Sequence, residues 1–170
     1  MKPEIFFLKY AFPCSFVLMS RKEITQKEHK LLYKSAKDEK LYLPLEKIES
    51  IFWRAMNFVE SITNIQAVRR YWRFEHNKIL MSKKSQILDE KLLKECMIIP
   101  CEVLLIDKDN ATVKSEFFDD YIKLKIDFVN VKPGDKVTKH YSYACEKISK
   151  ILYLKMVENL KKISNIKVKR

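Results

Sequence analysis

The sequence predicts an α+β protein with an N-terminal helical region, then a small OB-like β-barrel and a C-terminal helix. Three changes of pattern carry this. Apolar residues recur at helical spacing in the first part of the chain, the period falls to two after Pro100, and it returns to 3.6 from Ser142. The boundary falls near residue 95. This gives a helical extension over 1–95 and a barrel with its trailing helix over 96–170.

The elements follow in order. Ser20 to Lys40 reads as a helix, with Ser20 and Glu23 placed for a capping box and Ile24, Leu31, Leu32 and Ala36 forming a partial stripe. Pro44 opens a second. Its Leu45, Ile48, Ile51, Phe52, Ala55, Met56, Val59 and Ile62 keep the spacing that a buried helix face requires. A third runs from about Ile65 to Leu80, and Gln86 to Glu95 is a shorter helix or a linker. In the β part, Cys101, Val103 and Leu105 alternate with Glu102, Leu104 and Ile106, which turns Cys101 toward the core. Asp107-Lys108-Asp109-Asn110 supplies a turn before a second strand over Ala111 to Phe117. Tyr121 to Val129 alternates as a half-buried third strand. The only glycine of the 170 residues, Gly134, stands in Pro133-Gly134-Asp135, where a turn with φ > 0 leads into a strand from Lys136 to Tyr141. From Ser142 onward, Ile148, Ile151, Leu152, Lys155 and Leu160 mark the C-terminal helix. Strands of this number and spacing suit a small closed barrel of the OB type.

Composition excludes several functional classes. One glycine rules out any glycine-rich phosphate or dinucleotide loop, and neither a metalloprotease helix nor a serine-nucleophile elbow occurs. The apolar stretch from Ile5 to Met19 is interrupted by Lys9 and Pro13 and falls short of the roughly 20 residues that a bilayer requires. It also lacks a signal-peptide cleavage pattern, so a cytoplasmic protein without membrane association is expected, its cysteines Cys14, Cys96, Cys101 and Cys145 present as thiols. The net charge of +12 is spread along the chain, and only Lys161, Lys162, Lys167, Lys169 and Arg170 form a concentrated basic patch. Lysine-rich, glycine-poor, isoleucine-rich composition also fits a thermophile or an AT-rich genome. The run Arg69-Arg70-Tyr71-Trp72-Arg73-Phe74-Glu75-His76 interleaves cations with aromatics as single-strand binders do, but Val68, Tyr71, Trp72 and Glu75 share one helix face while Arg69, Arg70 and Arg73 point elsewhere, the pattern of a packed helix with a solvated side.

Two stretches carry a family resemblance: Cys96-Met97-Ile98-Ile99-Pro100, and Gly134-Asp135-Lys136-Val137-Thr138-Lys139-His140-Tyr141-Ser142-Tyr143-Ala144. Their order and separation resemble the HypC/HupF family of hydrogenase-maturation chaperones, whose members carry Met-Cys-x-Gly-x-Pro and a later Gly-Asp-(aromatic)-Val-x-(Val/Ile)-His-x-Gly-Phe-Ala. Ile98 replaces the first motif's glycine, and Ser142-Tyr143 replaces the Gly-Phe. The resemblance covers about Cys96 to Lys155. It implies a non-catalytic assembly factor with no permanently bound cofactor. Cys96 would contact iron transiently, as a soft thiolate donor, with His140 as the second polar group near it. Ile99, Pro100, Gly134 and Asp135 would face protein partners, namely a HypD-like factor and the hydrogenase large-subunit precursor.

Three alternatives stand beside it. Cys96 on its own also reads as a small buried residue. Cys96, Cys101, His140 and Cys145 have the ligand types of a zinc site, although the Cys pairs have four intervening residues instead of the commoner two. A different function class is a nucleic-acid-binding module in which barrel and basic tail form a groove.

Overall fold

The computed structural model describes residues 1–82, 90–118 and 120–163. The chain divides into two compact units, Met1–Trp72 and Arg73–Arg170. The boundary expected near residue 95 therefore marks a change of secondary structure, while the division into compact units falls earlier, inside the third predicted helix.

The first unit is built on the apolar stretch that the sequence left without an assigned element. It forms α1 (Pro3–Ala11), a 3-10 turn (Phe12–Cys14) and α2 (Ser15–Ser20). Every residue of α1 from Ile5 to Ala11 is buried, as expected for a helix that is apolar on all sides. The one cation, Lys9, is 4% exposed and reaches Glu39 at 2.7 Å. Phe7 and Tyr10 pack on Trp72, the Tyr10 ring stacked at 5.5 Å. The next helix, α3 (Gln26–Lys37), starts later than the expected Ser20 because Thr25 and Glu28 form the capping box, each side chain bonding the other's backbone N–H. Ser20 instead ends α2, its hydroxyl donating to the Val17 carbonyl. The long stripe from Leu45 breaks at Phe52 (φ −100°, ψ 30°) into α4 (Leu45–Ile51) and α5 (Trp53–Met56). Ile48, Ile51, Phe52, Val59 and Ile62 are nevertheless buried. α6 (Ile65–Arg70) is capped by the Asn64 carboxamide and runs through a π turn (Tyr71–Glu75) into α7 (His76–Leu80). Val68, Tyr71 and Trp72 are buried, so the cation–aromatic run is a packed helix, but of its three arginines only Arg70 is exposed, Arg69 and Arg73 being half-buried.

In the second unit, α8 (Glu90–Cys96) leads into a closed barrel of β1 (Ile99–Asp107), β2 (Asn110–Lys114), β3 (Ile122–Lys125), β4 (Lys136–His140) and β5 (Tyr143–Ile148), followed by α9 (Lys150–Ile163). The strand order is β1-β2-β3-β5-β4, closed by β4 on β1. All pairs are antiparallel except β3 with β5. β1 carries an irregularity between Val103 and Leu105. There Gly134 N–H donates to the Val103 carbonyl at 2.8 Å and Val103 N–H to the Asp135 carbonyl at 2.9 Å. The turn with Gly134 at φ +88° thus sews the Pro-Gly-Asp loop onto the bent strand. Ile99, Cys101, Val103, Ala111, Val113, Leu124, Val137 and Ala144 fill the barrel, and Leu160 of α9 joins the same core.

Three expectations need correction here. The third strand stops at Lys125, because Ile126 N–H turns to the Asp109 carbonyl and Val129 N–H to the Ile126 carbonyl. The second strand ends at Lys114, where Ser115 bonds the Pro100 carbonyl. Ser142 does not start the final helix. Tyr143, Ala144 and Cys145 are buried as β5 between β4 and β3, and the helix begins after Ser149, whose hydroxyl accepts from Leu152 N–H. Its buried face is Tyr153, Met156, Val157 and Leu160, which leaves Ile151 at 69% exposed.

Candidate functional site

The site forms where α8 ends and β4 turns into β5. An α-helix finishes with unbonded carbonyls, and those of α8 are taken up by the hairpin. Lys139 donates its ammonium to the carbonyls of Lys94 (3.0 Å) and Glu95 (3.4 Å), and Tyr141 N–H donates to Glu95 at 2.8 Å. A cation at a helix C-terminus also opposes the helix dipole. Lys139 is only 4% exposed, and burial lowers its pKa from the usual lysine value. Tyr141 adopts φ +50°, which lets a two-residue loop, Tyr141–Ser142, join β4 to β5.

This turn sets Tyr141 against the thiol. Cys96 Sγ lies 2.6 Å from the Tyr141 hydroxyl, and Cys96 is half-buried. His140 is fully buried, its ring 5.1 Å from that of Tyr141 and 5.3 Å, edge to face, from that of His76. Burial pushes the His76 pKa down to about 4, so this imidazole is neutral around pH 7. The next residue, Asn77, donates to the Ile98 carbonyl at 2.6 Å and accepts from Ile98 N–H at 2.9 Å, which pins the backbone two residues after Cys96.

Cys96 and His140, singled out in the sequence, thus meet the same tyrosine. The four groups considered for zinc do not assemble. Cys101 and Cys145 are buried with their thiols directed to the Ile99 and Tyr143 carbonyls, and among the described residues no group of three or more His, Cys, Asp or Glu side chains could hold a metal ion. Burial raises the Cys101 pKa to about 12, so it is an inert thiol. Of the four residues expected to face partners, Ile99 lies in the barrel core and Pro100 is buried, paired with Thr138. The alternation of β1 turns Ile99 into the barrel. Gly134 is exposed. Asp135 is half-buried, bonded to Lys132 N–H and paired with Lys147 at 2.7 Å, and the Lys147 bond holds its carboxyl below the usual range.

Beside Tyr141 opens a cleft of about 720 Å³ lined by Lys91, Lys94, Glu95, Phe118, Ile122, Lys123, Lys139, Tyr141 and Ser142. No sequence pattern marks Lys139, Tyr141, His76 or Asn77 as site residues, because the helical spacing that extends back to Ser142 hides the hairpin. Reading Tyr143-Ala144-Cys145 as a strand would have placed Tyr141 in a hairpin loop opposite the end of α8.

No family model, no curated protein and no solved structure matches this chain. No helix among the described residues is long and apolar enough to cross a membrane.

Proposed function

We propose that this protein is a cytoplasmic, non-catalytic assembly factor of the HypC/HupF kind, which uses Cys96 to engage a metal-bearing cargo and a protein partner. The observation that supports this most directly is the setting of the thiol. Cys96 is half-buried at the end of α8, 2.6 Å from the Tyr141 hydroxyl, whereas Cys101 lies in the barrel core and Cys145 is buried on β5. A thiolate is a soft donor, and the tyrosine O–H can donate to it and steady its negative charge. One donor is what this chain offers. The rest of the cargo's coordination belongs to ligands the iron brings and to the partner, a HypD-like factor or a hydrogenase large-subunit precursor. Gly134 and Asp135 stand on the loop sewn to β1 at the start of β4, whereas the thiol lies by the end of that strand.

The test is Cys96→Ser, which keeps a hydroxyl in reach of Tyr141 and removes the soft donor. The variant should keep the wild-type thermal midpoint and lose co-purifying iron and captured partner. Retention of both at wild-type levels would overturn the proposal.

A further inference from the structure

The cleft beside Tyr141 shares only that residue with the thiol site, and its lining is chemically distinctive. Four of its nine residues are lysines, Lys91 and Lys94 on α8, Lys123 on β3 and Lys139 on β4, against a single carboxylate, Glu95. Lys91, Lys94 and Lys123 are exposed. Two aromatic side chains, Phe118 and Tyr141, line it among the ammonium groups, and Tyr121, 73% exposed, stands immediately before β3, two residues from Lys123. Its volume suits a small-molecule-sized group.

From this combination we infer that the cleft between α8, β3 and the β4–β5 loop binds single-stranded nucleic acid, its exposed Lys91, Lys94 and Lys123 on the phosphodiesters and its aromatics against the bases. Charge alone would equally suit an acidic peptide. The aromatics decide between them, because a base offers a π face to stack and a run of carboxylates does not. A free nucleotide is disfavoured by what the lining lacks. It holds no arginine for a bidentate grip on a terminal phosphate, and the chain's one glycine, Gly134, is not in it, so no glycine-rich phosphate loop is present. Point charges on two separate elements match charges spaced along a strand. The buried Lys139 holds the α8 side of the cleft in place, since its ammonium ties the end of that helix to β4. The site is distinct from the basic tail considered in the sequence, of which Lys167, Lys169 and Arg170 lie outside the described residues.

The experiment uses the full chain and a fluorescein-labelled oligothymidylate, followed by anisotropy as potassium chloride is raised. Wild type should bind. The combined Lys91→Gln, Lys94→Gln and Lys123→Gln variant should bind about tenfold or more weakly, and the slope of log K against log salt should flatten by about 2, roughly 0.7 for each phosphate no longer neutralised. Tyr121→Ala should weaken binding and leave the slope unchanged. Lys167→Gln, Lys169→Gln and Arg170→Gln combined should bind as wild type. These side chains are exposed or lie outside the described residues, and matching far-UV circular dichroism shows that each variant is folded. The inference is overturned if wild type does not bind, if the three-lysine variant binds as wild type, if the tail variant carries the loss instead, or if a mononucleotide or polyglutamate competes as well as unlabelled oligonucleotide. Cys96→Ser should bind the oligonucleotide normally, and the three-lysine variant should retain iron and partner, so each proposal can fail without the other.

Discussion

Asn77 bonds both backbone groups of Ile98, and replacing it tests whether that clamp holds the entrance to β1. Asn77 is 4% exposed and Ile98 fully buried, so water does not readily take over either bond. Asn77→Ala leaves a buried N–H and a buried carbonyl without their partner. Each costs about 1–3 kcal/mol, or about 2–6 kcal/mol together. Asn77→Leu restores the volume and leaves the same two groups orphaned, so it should destabilise comparably if hydrogen bonding and not packing is the cause. The readout must come from the second unit. Both tryptophans, Trp53 and Trp72, lie in the first, so their fluorescence is the wrong probe. Amide exchange at Ile98 and in the barrel strands, followed as urea is raised, is the right one. Cys96, two residues upstream, should also react faster with a thiol reagent in both variants. A loss below about 1 kcal/mol with unchanged exchange at Ile98 would refute the reasoning, because the backbone would then be satisfied some other way.

Gly134→Ala should cost about 1 kcal/mol in urea unfolding, because its φ of +88° disfavours any side chain while a Cβ there meets nothing within 4 Å. A loss well above this would mean that the loop, and not the backbone angle alone, had been disturbed. Phe52→Ala should cost about 3–5 kcal/mol, since Phe52 is 6% exposed and its ring packs 5.8 Å from that of Phe7. Tryptophan fluorescence suits this case, and wild-type stability would expose the stripe as a surface. Bonds to Lys47 and Thr25 hold the Glu28 carboxyl down at about 2, from 4.5. The stabilisation this gives is therefore complete above about pH 4.5 and is lost as the pH falls through that value toward 2. Glu28→Gln should flatten that part of a stability–pH curve, and an unchanged acid limb would show that the ion pair is not formed in solution.

Local chemistry that acts over a few residues was legible in the sequence. The lone glycine does take positive φ, Cys101 does face the core, and the helical and β regions fall in the expected order. Elements were misplaced where a competing local signal or a tertiary contact decided the outcome. Ser20 with Glu23 and Thr25 with Glu28 both satisfy the capping-box pattern, and the second prevails because Glu28 also pairs with Lys47. The stripe from Leu45 to Ile62 gives the correct inward residues but not the break at Phe52. Burial of Ile48, Ile51, Val59 and Ile62 can be met by two short helices and a turn as well as by one long helix.

The misread hairpin had the largest consequence for the site. Ile148, Ile151 and Leu152 have helical spacing, and extending it back to Ser142 hides a strand whose buried residues, Tyr143, Ala144 and Cys145, follow one another without alternation. A strand paired on both sides and covered on both faces loses the period of two, so a short apolar run cannot be told from a buried helix. Once β5 exists, Tyr141 must sit in a tight loop. The end of α8 must then meet that loop, because β1 and β4 pair from Ile99 with Lys139 onward. The thiol, the tyrosine and the lysine cleft are all products of that one antiparallel register. No spacing within the sequence encodes it, because Cys96 and Tyr141 are 45 residues apart and meet only when the barrel closes.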